Sequence, residues 1–533
     1  MAPTLPIARA LAIAGDRVAG GVGTHETALP SPDRVDLGGR CVLPGFNDSH
    51  VHFPTWALAQ RQIRLEGTTS LDEALQRVAE ATREARPGRW LRGLGWRAGD
   101  WSPPTEPTKE ALDRVTGDTP TALMARDYHS LWLNSAALAH ANGDLEAEGG
   151  VVVRDERGEP TGVLREECAW HFRDTYVRPT EDEMVDASRE GVRIAIARGV
   201  TAVHDKDGWL GALGIWQRLR EEGSLHLRVW QSMPAEHVDE LADLHIRSGF
   251  GDDLVRIGYL KTFMDGTLGS QTARMLDGTG VQITSREQLV EIIRRGARAG
   301  LPVAVHAIGD LANREALDAF EETLAEWQPL GLRHRIEHAQ LLAPEDLPRF
   351  AELGITASVQ FSHAPSDRDL ADRFWAEKMQ GAYAYRSLRD SGALLANGSD
   401  APIEELDPWA GVCAGVLRTI DERAPWHPEQ RLTLDEALEA TTLNPAWLAR
   451  DEHRRGKLLP GFLADLVVLD RDPYELEPEQ LPQVNVVATM LGGHWTHNPP
   501  PWEDRLLENP DRIFTPTEVD DIDHYPPPAT TPV

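Results

Sequence analysis

His50 and His52 stand one residue apart in "LPGFNDSHVHF", straight after a Pro-Gly turn. Alternate side chains of a strand share a face, so both imidazoles point the same way and could make half of a metal site. Four more residues of suitable type follow in separate segments: Lys261 in "GYLKTF", His306 in "VAVHAIGD", His338 in "RIEHAQ" and Asp400 in "LLANGSDAP". Imidazole nitrogen and carboxylate oxygen suit Zn2+ and similar divalent ions. Two such ions about 3.5–4 Å apart can share one hydroxide and act on both sides of a displacement. A lysine beside cations makes sense only if it is buried. Burial favours the neutral amine, which can add carbon dioxide to give a carbamate, a bidentate anionic ligand.

Each residue alone has an ordinary alternative. A His-x-His pair can be two half-exposed strand histidines, and His306 or His338 a hydrogen-bonded structural histidine. Lys261 can snorkel to water, and Asp400 before Ala-Pro can start a turn. The metal reading rests on their coincidence at the ends of separate strands.

The elements that must place them alternate in type. "EMVDASREGVRIAIARG" reads as an amphipathic helix and "VTAVHD" as a strand; "RIGYLKTFMDG" is a strand and "SREQLVEIIRRGARAG" a helix. The strands "LPVAVHAIGD", "RHRIEHAQL", "ITASVQFS" and "ALLANGSDAP" follow, separated by helical segments. This beat predicts an α/β fold, a parallel sheet closed into a distorted (β/α)8 TIM barrel, whose chemistry sits at the C-terminal strand ends. A doubly wound open sheet is the runner-up, but no Gly-x-Gly-x-x-Gly fingerprint supports it. Within the strands, Lys261 is read in phase with Val255, Ile257 and Tyr259, and His338 with Ile336. Glu337 then falls on the opposite phase, as an outward salt bridge.

The beat breaks over about 57–180, read as an insertion after the first barrel strand. Its tryptophans, with Trp56 just before it, either line an apolar pocket or, the favoured reading, pack a core. Residues 1–43 and 457–497 share a texture of short apolar strands, which predicts a small composite β-sandwich from both chain ends flanking a barrel over 44–456. Residues 498–533 hold two Pro-Pro-Pro runs and many acids, an extended tail.

The 533 residues carry 54 Lys and Arg against 85 Asp and Glu, a net charge of −31. Such a surface repels phosphate backbones and anionic lipid, which argues against nucleic-acid and membrane roles. No apolar run reaches spanning length. Three scattered cysteines form neither a disulfide framework nor a Cys-type zinc motif, so a cytoplasmic location is expected. The expected partner is a small-molecule substrate, with a homodimer as an open option.

Taken in order, "LPGFNDSHVH", "DYHSLWLNSAAL", "KTFMDGTLGSQTA", "VHAIGD", "RIEHAQL", "NGSDAPIEELDPW" and "GFLADLVVLDRDP" resemble the motifs of the amidohydrolase superfamily. They are most similar to its amidohydrolase family 3 branch, which includes N-substituted formamide deformylase-like proteins. The resemblance implies a metal-dependent hydrolase acting on carbon–nitrogen bonds other than peptide bonds, with one or two divalent ions, Zn2+ first. It places His50, His52 and Asp400 on one ion and His306 and His338 on the other, with carboxylated Lys261 bridging. A metal-bridging hydroxide would attack and Asp400 would carry the proton, with His129 as a substrate-polarising donor. Asp265 either shapes the pocket or makes a turn, and His204 takes a supporting position. Two departures stand out. Relatives begin with another strand or two before "ARALAIAGDRV", so the expected sandwich is incomplete or the chain start is set too late. Gln271 also stands where arginine is frequent. The rival readings are another reaction at the same site (ester hydrolysis, deamination or isomerisation) and a non-catalytic barrel that binds.

Overall fold

The computed structural model of the chain describes residues 8–19, 23, 34–85, 88–125, 130–269 and 271–500. Two compact units emerge. One comprises residues 1–56 and 188–533, and the other is Ala57–Ala187.

The first unit is built on eight parallel strands: β1 (Phe46–Val51), β2 (Val200–Asp205), β3 (Arg228–Pro234), β4 (Val255–Phe263), β5 (Val303–Ala307), β6 (Arg335–His338), β7 (Thr356–Val359) and β8 (Leu395–Asn397). They hydrogen-bond in sequence order from β1 to β8. The seam between β8 and β1 is made just past the strand ends. Asp400 donates its backbone N–H to the His50 carbonyl at 2.7 Å, and His52 donates to that of Ala401 at 2.9 Å. The sheet is therefore nearly closed into the expected barrel. Sequence reading passed over β3: six of its seven residues are buried, so it shows no alternation to mark it.

The β4–β5 connection shows how each unit is specified. Ser285 caps the helix Arg286–Ala299 in a reciprocal capping box with Gln288, and Gly300, at φ +73°, ends it. Leu289, Val290, Ile293 and Ala297 form its buried stripe. They share one apolar layer with Val303, Val305 and Ala307 of β5. Burying each large aliphatic side chain there contributes about 1.5–3 kcal/mol. The alternate residue His306 is left to face the barrel interior.

Both chain ends meet in one antiparallel sheet, in the order His494–His497, Val486–Leu491, Leu466–Leu469, Cys41–Pro44. A short hairpin, Ile13–Ala14 with Arg17–Val18, bridges to Leu463. Cys41–Pro44 runs through Gly45 directly into β1. A Cβ at Gly45 would lie 2.3 Å from the Thr201 side chain, so the Pro-Gly of the opening motif allows β1 and β2 to approach.

The second unit carries a six-stranded mixed sheet from Ile63–Arg64 to Gly150–Arg154. Trp96, Trp101 and Trp132 lie in its own apolar core, so these three pack rather than line a pocket. The predicted tail beyond residue 500 and His129 lie outside the described residues. Among the described residues no helix is long and apolar enough to cross a membrane.

Candidate metal centre

The residues singled out from the sequence come from five strand ends, and three of them, His50, His52 and His338, meet Asp400. Its Oδ1 lies 3.1 Å from His50 Nε2 and 3.7 Å from His52 Nε2, and its Oδ2 is 3.9 Å from His338 Nδ1. His306 joins through His338, their ring centroids 4.5 Å apart. Lys261 is buried with no hydrogen-bond partner on Nζ, which lies 4.7 Å from the centre of the Phe263 ring. Its charge acts on His52, His306 and Asp400. Two sets of donor atoms, His50–His52–Asp400 and His338–His363–Asp400, each lie within 4.8 Å of one another.

Each of the four expected ligand histidines is anchored through one ring nitrogen. His50 Nδ1 donates to Glu337 Oε2 at 2.7 Å, and His52 Nδ1 to Asp207 Oδ1 at 2.8 Å. His306 Nε2 donates to the Gly266 carbonyl at 3.0 Å, and His338 Nδ1 to Gln360 Oε1 at 2.9 Å. All four acceptors are oxygens, so the proton sits on the anchored nitrogen and the other nitrogen keeps its lone pair. That is the arrangement by which an outer partner orients a ligating imidazole.

The charges agree with this reading at three of the four histidines; at His52 burial is outweighed by the hydrogen bond and charge of Asp207, which raise its pKa. Burial, with Lys261 next, pulls His306 down to about 3. Burial likewise lowers His50 and, with His306 beside it, His338. All three shifts favour the neutral imidazole that coordination requires. Burial works against the Asp400 charge, but His50, His338 and His363 outweigh it and hold the carboxyl well below its usual range. Lys261 is pulled down to about 8 by burial, against the opposing pull of Glu337 and Asp400. His52 keeps 30% of its side chain exposed, so the centre opens to solvent on its side.

Two phase assignments from the sequence are overturned. Glu337 points into the barrel, not outward. The backbone turns left-handed at His338 (φ +74°) and Ala339 (φ +45°), which brings His338 inward although Ile336 packs in the outer layer. Glu337, fully buried, meets His50, Lys206 Nζ at 2.6 Å and Arg335 Nε at 3.0 Å. On β4 the pairing with β3 shifts register at Gly258. Ile257 therefore packs outside while Tyr259 packs with Trp230 and Ala304, and Lys261 follows Tyr259.

Asp265 and His204 take supporting places. Asp265 accepts backbone N–H groups of Ile308, Gly309 and Arg274 at 2.8–3.0 Å, tying the loop after β4 to the loop after β5. His204 Nδ1 accepts from Arg335 at 2.9 Å. Asp48, inside the opening motif, accepts from the backbone of His50 at 3.0 Å and of Ser399 at 3.1 Å, pinning both halves of the Asp400 seam. Gln271 sits in a turn at φ +56°. Sequence reasoning missed His363, Asp207 and Lys206. His363 follows β7 within "SVQFSHAPSD", and Asp207 lies two residues past the end of β2; a search of every strand end for polar residues would have found both.

The chemistry of the donor set fits a divalent metal. It combines imidazole nitrogens and a carboxylate, with His50 Nε2 and Lys261 Nζ buried and making no hydrogen bond.

Comparison with known proteins agrees. The sequence model of the amidohydrolase family matches residues 33–497. A Bacillus subtilis (strain 168) protein named as amidohydrolase YtcJ is 33% identical over 504 residues, 90% of this chain and 94% of that protein. N-substituted formamide deformylase of Arthrobacter pascens is 28% identical over 519 residues, 91% of this chain and 94% of the enzyme. The crystal structure of an uncharacterized metal-dependent hydrolase from Pyrococcus furiosus superposes with a TM-score of 0.74 at 31% identity, covering 87% of this chain and 95% of that one. On a family match that runs through the barrel and both parts of the terminal sheet, the chain belongs to the amidohydrolase family.

Proposed function

We propose that this protein hydrolyses a non-peptide C–N bond, of amide or formamide type, in a small molecule. The observation that carries the reading is the set of four anchored imidazoles, three of them around an ionised Asp400 and the fourth, His306, against His338. The similarity to N-substituted formamide deformylase supports the bond type.

His50, His52, His306, His338 and Asp400 would hold the metal. Lys261 would join them as a carbamate, formed when its neutral amine adds to carbon dioxide and loses a proton. Divalent ions, Zn2+ first, supply hydroxide near neutral pH and polarise a carbonyl when bound. Asp400 is the proton carrier: it takes a proton from the attacking water and passes it to the leaving nitrogen. The overall change turns R–CO–NHR′ and water into a carboxylate and a protonated amine. Glu337 and Asp207 keep the imidazoles of His50 and His52 in the required tautomer and orientation. The free cysteines and the acidic composition support a cytoplasmic enzyme with a small-molecule substrate.

A panel of formamides, N-acyl amines and cyclic amides with the zinc-loaded protein tests this reading. Release of carboxylate and amine from one group is expected. Full metal content with no C–N cleavage across the panel would sink it in favour of another reaction at the same site.

A further inference from the structure

Phe263, the last residue of β4, begins an aromatic shelf that leads outward from the metal centre. Its ring centroid lies 5.2 Å from that of His306 and 5.4 Å from that of Trp209, and Lys261 Nζ stands 4.7 Å from its centre. Trp209 is 44% exposed and its neighbour Leu210 53%. An indole is ordinarily well buried, and adjoining exposed apolar side chains are a mark of ligand grooves. Trp209 is also held still. Its Nε1 donates to Glu236 Oε1 at 2.6 Å. Asp207, two residues earlier, accepts from His52 Nδ1 at 2.8 Å and from the backbone N–H of Thr55 at 2.9 Å. A Cβ at Gly208 would lie 2.7 Å from the Ser232 carbonyl oxygen, so glycine lets this turn press against β3. The indole is thus tied to His52 through Asp207 and to His306 through Phe263. His52 marks the side on which the centre opens to solvent, so the shelf flanks the way in.

We propose that Trp209 and Phe263 bind an aromatic ring carried on the acyl side of the substrate, the R of R–CO–NHR′. The inference rests on the C–N hydrolase reading and narrows it to amides of aryl-bearing carboxylic acids. Aromatic rings prefer offset or edge-on contact at centroid distances of about 4.5–7 Å. His306, Phe263 and Trp209 already stand at such spacings, and the substrate ring is the next member of the row. The side of the substrate follows from Asp400, which lies against His50, His52 and His338, whereas the inner end of the shelf lies against His306 and Lys261. The leaving nitrogen must face Asp400 to collect its proton. The other substituent of the carbonyl carbon then points away from Asp400, toward Phe263.

Product binding decides it without turnover. Phenylacetate, cyclohexylacetate and acetate stand for acyl products, and benzylamine and cyclohexylmethylamine for amine products. Each is titrated calorimetrically into the zinc-loaded protein. The cyclohexyl compounds match the ring in size and lack its π-face. Phenylacetate is expected to bind about two- to tenfold more tightly than cyclohexylacetate, the span an aromatic pair contributes beyond its buried area. In Trp209→Leu that preference vanishes while zinc content and acetate affinity stay as in the parent, and Trp209→Phe restores part of it. A general disturbance of the site would instead weaken all three carboxylates together. Equal affinity for phenylacetate and cyclohexylacetate in the parent would overturn the proposal, as would a preference that survives in Trp209→Leu. A Trp209-dependent preference for benzylamine over cyclohexylmethylamine, with none among the carboxylates, would also overturn it, since the ring would then belong to the amine. Absence of C–N cleavage by the parent protein counts against the hydrolase reading alone, because the titrations need no cleaved substrate.

Discussion

Glu337 accepts the Nδ1–H of His50 at 2.7 Å, from below the candidate metal centre and out of reach of solvent. The same carboxylate pairs with Lys206 and Arg335, so one side chain both orients His50 and meets the two basic groups of the barrel interior. Burial opposes its charge, and Arg335, Lys206 and His50 together hold its pKa well below the usual range.

Glu337→Gln therefore has two effects. It leaves the buried Arg335 and Lys206 without their carboxylate partner, and removal of one partner of a buried pair costs about 3–5 kcal/mol. It also loosens His50, for which loss of such an anchor costs about 10–100-fold in metal affinity. Denaturant unfolding and a competitive zinc titration measure them separately. An unchanged midpoint with unchanged zinc affinity would contradict the assignment.

Asp400→Asn removes the proposed proton carrier while sparing the backbone. The residue sits at φ +57°, a conformation asparagine accepts far better than alanine. The expected result is a folded protein with kcat reduced by roughly 10²–10⁴-fold. A binding protein on the same barrel would be indifferent to the change, so undiminished ligand binding without any parent turnover is the outcome that favours that rival.

Gly398→Ala tests the barrel seam. A Cβ there would lie 2.4 Å from the His50 backbone nitrogen, which cannot move without carrying the His-x-His pair. Forcing such a contact costs about 1–3 kcal/mol. Both thermal stability and zinc retention are expected to fall. A loss of stability with normal zinc retention would show that the seam does not set the ligand positions.

Glu436 gives a pH signature far from the metal. It pairs with Arg386 at 2.9 Å and caps its own helix through Thr433. The hydrogen bond from Arg386 comes first among the causes that lower its pKa from 4.5 to about 2. A carboxylate with a depressed folded-state pKa binds fewer protons folded than unfolded. The stability it contributes is fully present above about pH 4.5 and is lost as pH falls toward 2. Glu436→Gln should lower the unfolding midpoint at pH 7, and the gap to the parent should close across that window. A gap of constant size at every pH would refute the linkage.

Much of the site was legible because metal chemistry restricts residue types. His50, His52, His306, His338 and Asp400 could be named before any coordinates, since each stands at the end of a short apolar run and few side chains can ligate. The barrel was legible for the same kind of reason, because helix and strand periods alternate along the chain. The sequence by itself thus determined the candidate ligands, the fold class and the sharing of one sheet by the two terminal strand-rich segments.

Tertiary structure alone decided the sense in which each group is used. Strand phase predicts Glu337 outward, but the left-handed turn at His338 brings both residues into the barrel. That His363 of "SVQFSHAPSD" stands beside both Asp400 and Gln340 is likewise invisible in the chain order. Which ring nitrogen of a histidine carries the proton is set by its through-space neighbour, and chain order does not encode that neighbour until the barrel has closed.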